Sequence, residues 1–250
     1  MFQSLVLSAK RPLFQNAAEL AKGGAATIYA EPLCSLTGPI ERGSLTLLFG
    51  DPVCNAIAQS LCLAAQRPYI EGGLESKSLV IDAGNAVDPY MLAKLATDAG
   101  MDPKAFLRGV KLSRAFNCYQ LAELVVEELP RAANETHAGL VALLDPSACF
   151  SESEVKPTGT EALVSAISRS LLGVARKNGV VVVVSCPSTD SVLTRFLDQA
   201  RGAVCFERTE SGQEIRATLA RHPYAIRKSI TLPLHHDSPS ARTSRRHGGR

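Results

Sequence analysis

The chain has 250 residues, of which 46% are hydrophobic and 20% charged, and a formal net charge of +3. That composition suits one soluble α/β domain of ample core, or one domain with a tail, and excludes a chain disordered throughout. No window approaches the 18 apolar residues of a membrane span, and the first twenty residues lack the pattern of a signal peptide, so a cytoplasmic protein is expected.

From residue 43 to 233 the pattern is strand then helix, repeated. Residues 46–49 are a short apolar run ended by Gly50, and 55–66 follow with apolar side chains at helical spacing. Residues 78–82 read as the next strand; Pro89 then opens a helix that Gly100 closes. Residues 110–112 are strand-like, 118–129 form an amphipathic helix stopped by Pro130, and 140–145 are a buried strand ending in a carboxylate. A long helix over 160–177 precedes the run at 180–185, VVVVVS, which has the continuous apolarity of a parallel strand covered on both faces. A helix over 190–200 follows. The period then changes to short strands at 203–208, 214–219 and 229–232, which suit antiparallel pairing. These elements specify a doubly wound, mainly parallel sheet flanked by helices, with a small antiparallel C-terminal extension.

The chain divides into an N-terminal segment (1–42), a core (43–233) and a basic tail (234–250). The tail includes Arg242, Arg245, Arg246 and Arg250, and residues 238–250 hold no acid and no large apolar side chain. Such a composition cannot build a core; its cations suit phosphate contacts, which makes these arginines the candidate DNA-binding residues, and a solvated end that aids solubility explains them equally. Seven cysteines are scattered with no Cys-x-x-Cys pair, which fits reduced thiols packed as small hydrophobes. His235, His236 and Asp237 lie together without further ligands at metal spacing, and no metal is expected.

Chemistry is suggested at the first strand–helix junction, Gly50-Asp51-Pro52-Val53-Cys54-Asn55-Ala56-Ile57. A phosphate-binding loop at this place needs Gly, four spacers, then Gly-Lys-Ser/Thr, so that backbone N–H groups, an ammonium and a hydroxyl meet phosphate and magnesium. Here the last three positions are Asn55, Ala56 and Ile57. Asp51 adds repulsion toward phosphate.

Residues 43 to about 232 resemble the core of the RecA/RadA strand-exchange recombinases, closest to the archaeal and eukaryotic branch. Three stretches carry the likeness: GSLTLLFGD at 43–51, LVIDAGNAVDPYMLAKLATDAGMD at 79–102 and GVKLSRAFNCYQLAELV at 109–125. Arg114-Ala115-Phe116-Asn117 with Gln120 matches the family's most distinctive wording after the phosphate loop. The resemblance implies a RecA-like fold.

It also marks departures. The family's second strand ends in Asp-Thr-Glu-Gly, whose glutamate activates water; Asp82-Ala83-Gly84-Asn85 puts glycine there. Asp145 keeps the place of the aspartate that supports magnesium, while Val184-Ser185-Cys186-Pro187 lacks the sensor amide. Gly50, Asp51, Asn55 and Asp145 are thus the candidate remnant of a nucleotide site, with no cofactor, ATP or magnesium expected and no hydrolysis.

Phe14 and Ala17 repeat the Phe-x-x-Ala pattern with which family members dock into a neighbour, and a hydrophobic staple explains them as well. With Arg114, Phe116 and Asn117 they are the candidate docking residues. The family's second DNA loop shrinks to residues 187–191, too short to thread a strand. The resemblance therefore implies a non-catalytic recombinase paralog in DNA repair or recombination, partnered by a recombinase or other repair protein, by DNA through the tail, and by no membrane. An adaptor that binds protein alone, or an ATPase using unfamiliar residues, remains open.

Overall fold

The computed structural model describes residues 27–28, 33–151, 157–224 and 228–233. At its centre is β3 (Leu45–Gly50), whose LTLLFG sequence alternates toward two cores: Leu45 and Leu47 join one, Leu48 the other. Strand β7 (Val181–Cys186) does the same with Val182 and Val184 against Val181 and Val183. Each central strand is covered on both faces, which explains why neither shows a polar period.

In chain order the described elements are β1 (Thr27–Ile28), α1 (Leu33–Thr37), β2 (Ile40–Glu41), β3, α2 (Val53–Gln66), a 3-10 turn (Tyr69–Glu71), β4 (Ser78–Asp82), α3 (Pro89–Asp98), α4 (Pro103–Arg108) and β5 (Val110–Arg114). There follow α5 (Cys118–Glu123), a π-helical turn (Leu124–Glu128), α6 (Leu129–Thr136), β6 (Leu140–Leu144), α7 (Ala148–Ser151), α8 (Pro157–Asn178), β7, α9 (Ser191–Gln199), β8 (Gly202–Arg208), β9 (Glu214–Arg221) and β10 (Ser229–Pro233). Eight strands form one sheet in the order β10-β9-β8-β3-β7-β6-β4-β5, and β1 and β2 pair separately. Helices α2, α3 and α4 cover one face through Leu61, Leu92 and Phe106; α5, α8 and α9 cover the other through Leu121, Ile167 and Phe196. The expected doubly wound, mainly parallel architecture is present.

Three details differ from the sequence reading. Strand β8, which the sequence groups with the antiparallel strands, runs parallel to β3, and within the eight-stranded sheet only the pairings from β8 to β9 and from β9 to β10 are antiparallel. The body also reaches back before residue 43, because Leu33, Leu36 and Ile40 pack into the core. Proline 130, finally, does not stop its helix. The π turn before it places the Leu129 N–H on Leu124 O, so the next donor in that register would be residue 130, reaching Val125 O. Proline has no such donor; the Ser170 hydroxyl supplies one, donating to Val125 O at 2.7 Å. The ring then sits in the first turn of α6, its missing N–H made good by that hydroxyl.

Among the described residues no helix is long and apolar enough to cross a membrane. None of the seven cysteines forms a disulfide, and six of them are buried.

Candidate functional site

The C-terminal ends of β3, β6 and β7 meet where β3 hands the chain to α2. Gly50 closes the strand with φ 102°, a backbone conformation suited to glycine, and a Cβ there would lie 2.2 Å from the carbonyl oxygen of Phe206. The chain must turn tightly against β8 at this point, and Asp51 N–H donates to that same oxygen at 2.7 Å.

Each N–H at the start of α2 already has an acceptor. Val53 donates to Asp51 Oδ1 at 3.0 Å, Cys54 to Asp51 O at 3.0 Å and Asn55 to Pro52 O at 3.1 Å; Pro52 has none to offer. A phosphate cradle works by pointing such donors at the ligand, and here they are turned inward. The Asp51 carboxylate is also paired with Arg208, whose Nε lies 3.1 Å from Oδ2. Asn55 is fastened too: Ser185 Oγ donates to its Oδ1 at 2.6 Å.

Asp145 follows β6 with φ 49°, and its N–H donates to Ser185 O at 2.8 Å. Its Oδ1 is buried and, among the described residues, has no hydrogen-bond partner. Burial pushes the carboxyl above its ordinary value, with Asp190 and Asp82 adding to the effect and the Ala148 N–H opposing it. The contact partner of Asp145 explains the glycine at residue 84, because a Cβ there would stand 2.6 Å from both Asp145 Cβ and Oδ2. Burial likewise pushes the neighbouring Cys54 thiol up to about 12 and Cys149 to about 11, far from a nucleophile's range.

A prediction follows for Asp145→Asn. Because the folded carboxyl is raised above 3.8, the native state holds its proton longer than the unfolded chain, and stability falls as pH climbs through the window above that value. The neutral amide should remove this slope and raise the thermal midpoint at pH 7. An unchanged pH–stability curve would show that Asp145 carries no such strain.

Asp82, fully buried at the end of β4, shapes the next loop: Oδ1 accepts from Ala86 N–H at 2.7 Å, Oδ2 from Val87 N–H at 3.3 Å, and Arg114 Nε lies 3.4 Å from Oδ2. Asp88 caps α3 by accepting from Tyr90 and Met91. Arg114 therefore serves the interior. Asn117 accepts from the Tyr119 and Gln120 N–H groups, and Gln120 Oε1 accepts from Phe116 N–H at 2.9 Å, a reciprocal cap on α5. Phe116 is different: it is 79% exposed; Tyr119 (64%), Tyr90 (87%) and Leu112 (43%) are exposed too, and Leu112 lies on β5, which among the described residues pairs with β4 alone.

Phe14, Ala17, Arg242, Arg245, Arg246 and Arg250 lie outside the described residues, as do His235 and His236. Of the other cations near the C-terminal strands, Arg221 donates to Leu197 O and Lys228 to Ser35 O. The loop between β7 and α9 is four residues, 187–190, and Asp190 caps the helix through Leu193 N–H. Among the described residues no group of three or more His, Cys, Asp and Glu could hold a metal ion.

A parallel sheet whose first βα junction faces the ends of β6 and β7, with antiparallel strands added beyond β8, defines a RecA-like α/β domain. The Rad51 family model matches residues 30–192, and the chain belongs to that family. Similar proteins include a DNA repair protein RAD51 homolog of Solanum lycopersicum, 28% identical over 156 residues, covering 60% of this chain and 45% of the relative. The DNA repair protein rhp51 of Schizosaccharomyces pombe is 29% identical over 158 residues, 60% of this chain and 42% of its own length. The DNA repair and recombination protein RadA of Cenarchaeum symbiosum is 29% identical over 127 residues, 50% and 31%. The chain thus spans less than half the length of these relatives.

Proposed function

We propose that this chain is a non-catalytic recombinase paralog that assists DNA repair or recombination by binding a protein partner, and DNA through the arginines of its tail. The observation that carries the reading is the inward use of every N–H at the start of α2, joined to the absence of lysine and hydroxyl at Ala56 and Ile57. Phosphoryl transfer depends on positioned charge, and each missing contact removes several kcal/mol of transition-state stabilisation. Neither ATP nor magnesium is assigned to the chain. Partner binding is supported by the edge of β5, which among the described residues pairs with β4 alone, and by the exposed Phe116 and Tyr119 that follow it; an extended segment can add main-chain hydrogen bonds to such an edge.

The test is DNA-binding anisotropy over a salt series for the full chain and a truncation after Leu234, with and without ATP and magnesium. Binding that ATP leaves unchanged and truncation weakens is the expected result. Each lost phosphate contact should flatten the log–log salt slope by about 0.9 on duplex DNA. An unchanged slope would remove the tail from the mechanism, and ATP turnover that Asp145→Ala abolishes would make the chain an enzyme. A second reading, an adaptor that binds protein alone, draws on Arg221 and Lys228 being spent on internal carbonyls; its mark would be a stable partner and no DNA affinity.

A further inference from the structure

We propose that Asp51 is this chain's own substitute for a bound phosphate, held in place by Arg208, so that the loop between β3 and α2 stays closed with no ligand. This role rests on the non-catalytic reading above and states how the site is regulated: by a permanent internal anion.

Asp51 supplies what a phosphate would. Its Oδ1 accepts the Val53 N–H at 3.0 Å, at the positive end of a 14-residue helix. Both oxygens also face one guanidinium, with Arg208 Nε 3.1 Å from Oδ2 and Nη2 3.4 Å from Oδ1. The carboxylate side chain is 9% exposed and the arginine 46%, so the anion is inside and the cation forms the rim.

The pairing has a mechanical result. Arg208 ends β8, and the Asp51 N–H already holds Phe206 O of that strand, so loop and strand are joined through both main chain and side chain. Ser185 Oγ on Asn55 ties the first turn of α2 to β7. In a nucleotide-driven relative of this architecture a bound phosphate would join such elements only while it is present; here 157 residues of sequence separate Asp51 from the arginine that makes the tie permanent. The Asp51 that repels phosphate and the Arg208 that attracts it cancel, which leaves the loop neither empty nor open.

The experiment is thermal unfolding of the full chain, Asp51→Ala, Asp51→Asn, Arg208→Met and the double variant Asp51→Ala/Arg208→Met, each with and without millimolar pyrophosphate. Each of Asp51→Ala and Arg208→Met should lower the midpoint by roughly 3–6 °C, and the double variant should fall no further than Asp51→Ala, because both changes break one unit. Pyrophosphate should raise the midpoint of Asp51→Ala by roughly 2–4 °C and leave the parent chain unmoved. Asp51→Asn keeps an acceptor for Val53 while dropping the charge, so its midpoint should fall between the two and carry the same comparison if Asp51→Ala does not fold. Additive single-variant losses, or pyrophosphate stabilising the parent chain as much as Asp51→Ala, would overturn the proposal. ATP hydrolysis by the parent chain would instead remove the non-catalytic reading, whatever the double variant shows.

Discussion

Replacing Gly50 by alanine should remove roughly 4–6 kcal/mol of stability, enough to leave little folded protein at physiological temperature. Three costs add. The φ of 102° is unfavourable for any residue with a Cβ, at about 1–3 kcal/mol. The new Cβ, 2.2 Å from Phe206 O, has backbone and not a movable side chain in its way, so β3 and β8 must part where they pair Gly50 with Phe206. Parting them breaks the bond from Asp51 N–H to the same oxygen, a further loss of about 1 kcal/mol. Urea unfolding of the parent and variant checks this. A midpoint within error of the parent would mean that the junction can relax far more than a strand flanked by two cores allows.

Gly84→Glu, which restores the glutamate of the active recombinases that the sequence resembles, should give no ATP turnover and should destabilise the fold by roughly 2–4 kcal/mol. Residue 84 packs directly on Asp145, so any side chain there displaces a carboxylate already short of partners, and a glutamate adds like charge. Gly84→Ala isolates the steric part. In an Asp145→Gly background that part should largely vanish, since the two residues share one space and their effects cannot add. Equal losses in both backgrounds would show that the loop, and not Asp145, resists the side chain. The change at residue 84 is then part of a repacked site, and one substitution does not reverse it.

The strands were legible because their residues carry both local and global information. The span 78–82 is recovered as β4, since an apolar run between polar flanks can only be a buried strand here. The helix at Pro103–Arg108 escaped the reading: six residues are too few for a hydrophobic period, although Asp102 before Pro103 is a cap signal and does accept from Lys104 and Ala105. Pro130 misled because its tolerance depends on Ser170, on a helix 40 residues away. The sequence groups β8 with its antiparallel neighbours because strand direction is set by its partner β3, which no local pattern names. At the candidate site the missing lysine and glutamate were plain in the sequence, whereas the reason for Gly84 lies in its contact with Asp145. Arg208, absent from the sequence-derived site, ends a strand beside an ordinary turn and gives no signal until the fold brings it to Asp51.

The six buried thiols are spread over five elements: Cys34 on α1, Cys54 and Cys62 on α2, Cys118 on α5, Cys149 on α7 and Cys186 on β7. Alkylating reagents attack thiolates, and burial that raises Cys62 to about 12 makes the native form inert to them. Burial also keeps the reagent away from all six sulfurs, so each is a clock that starts only when the element carrying it opens. The order of labelling, followed by mass spectrometry after a short exposure to iodoacetamide, would rank the elements by how often they come apart, without any probe being introduced.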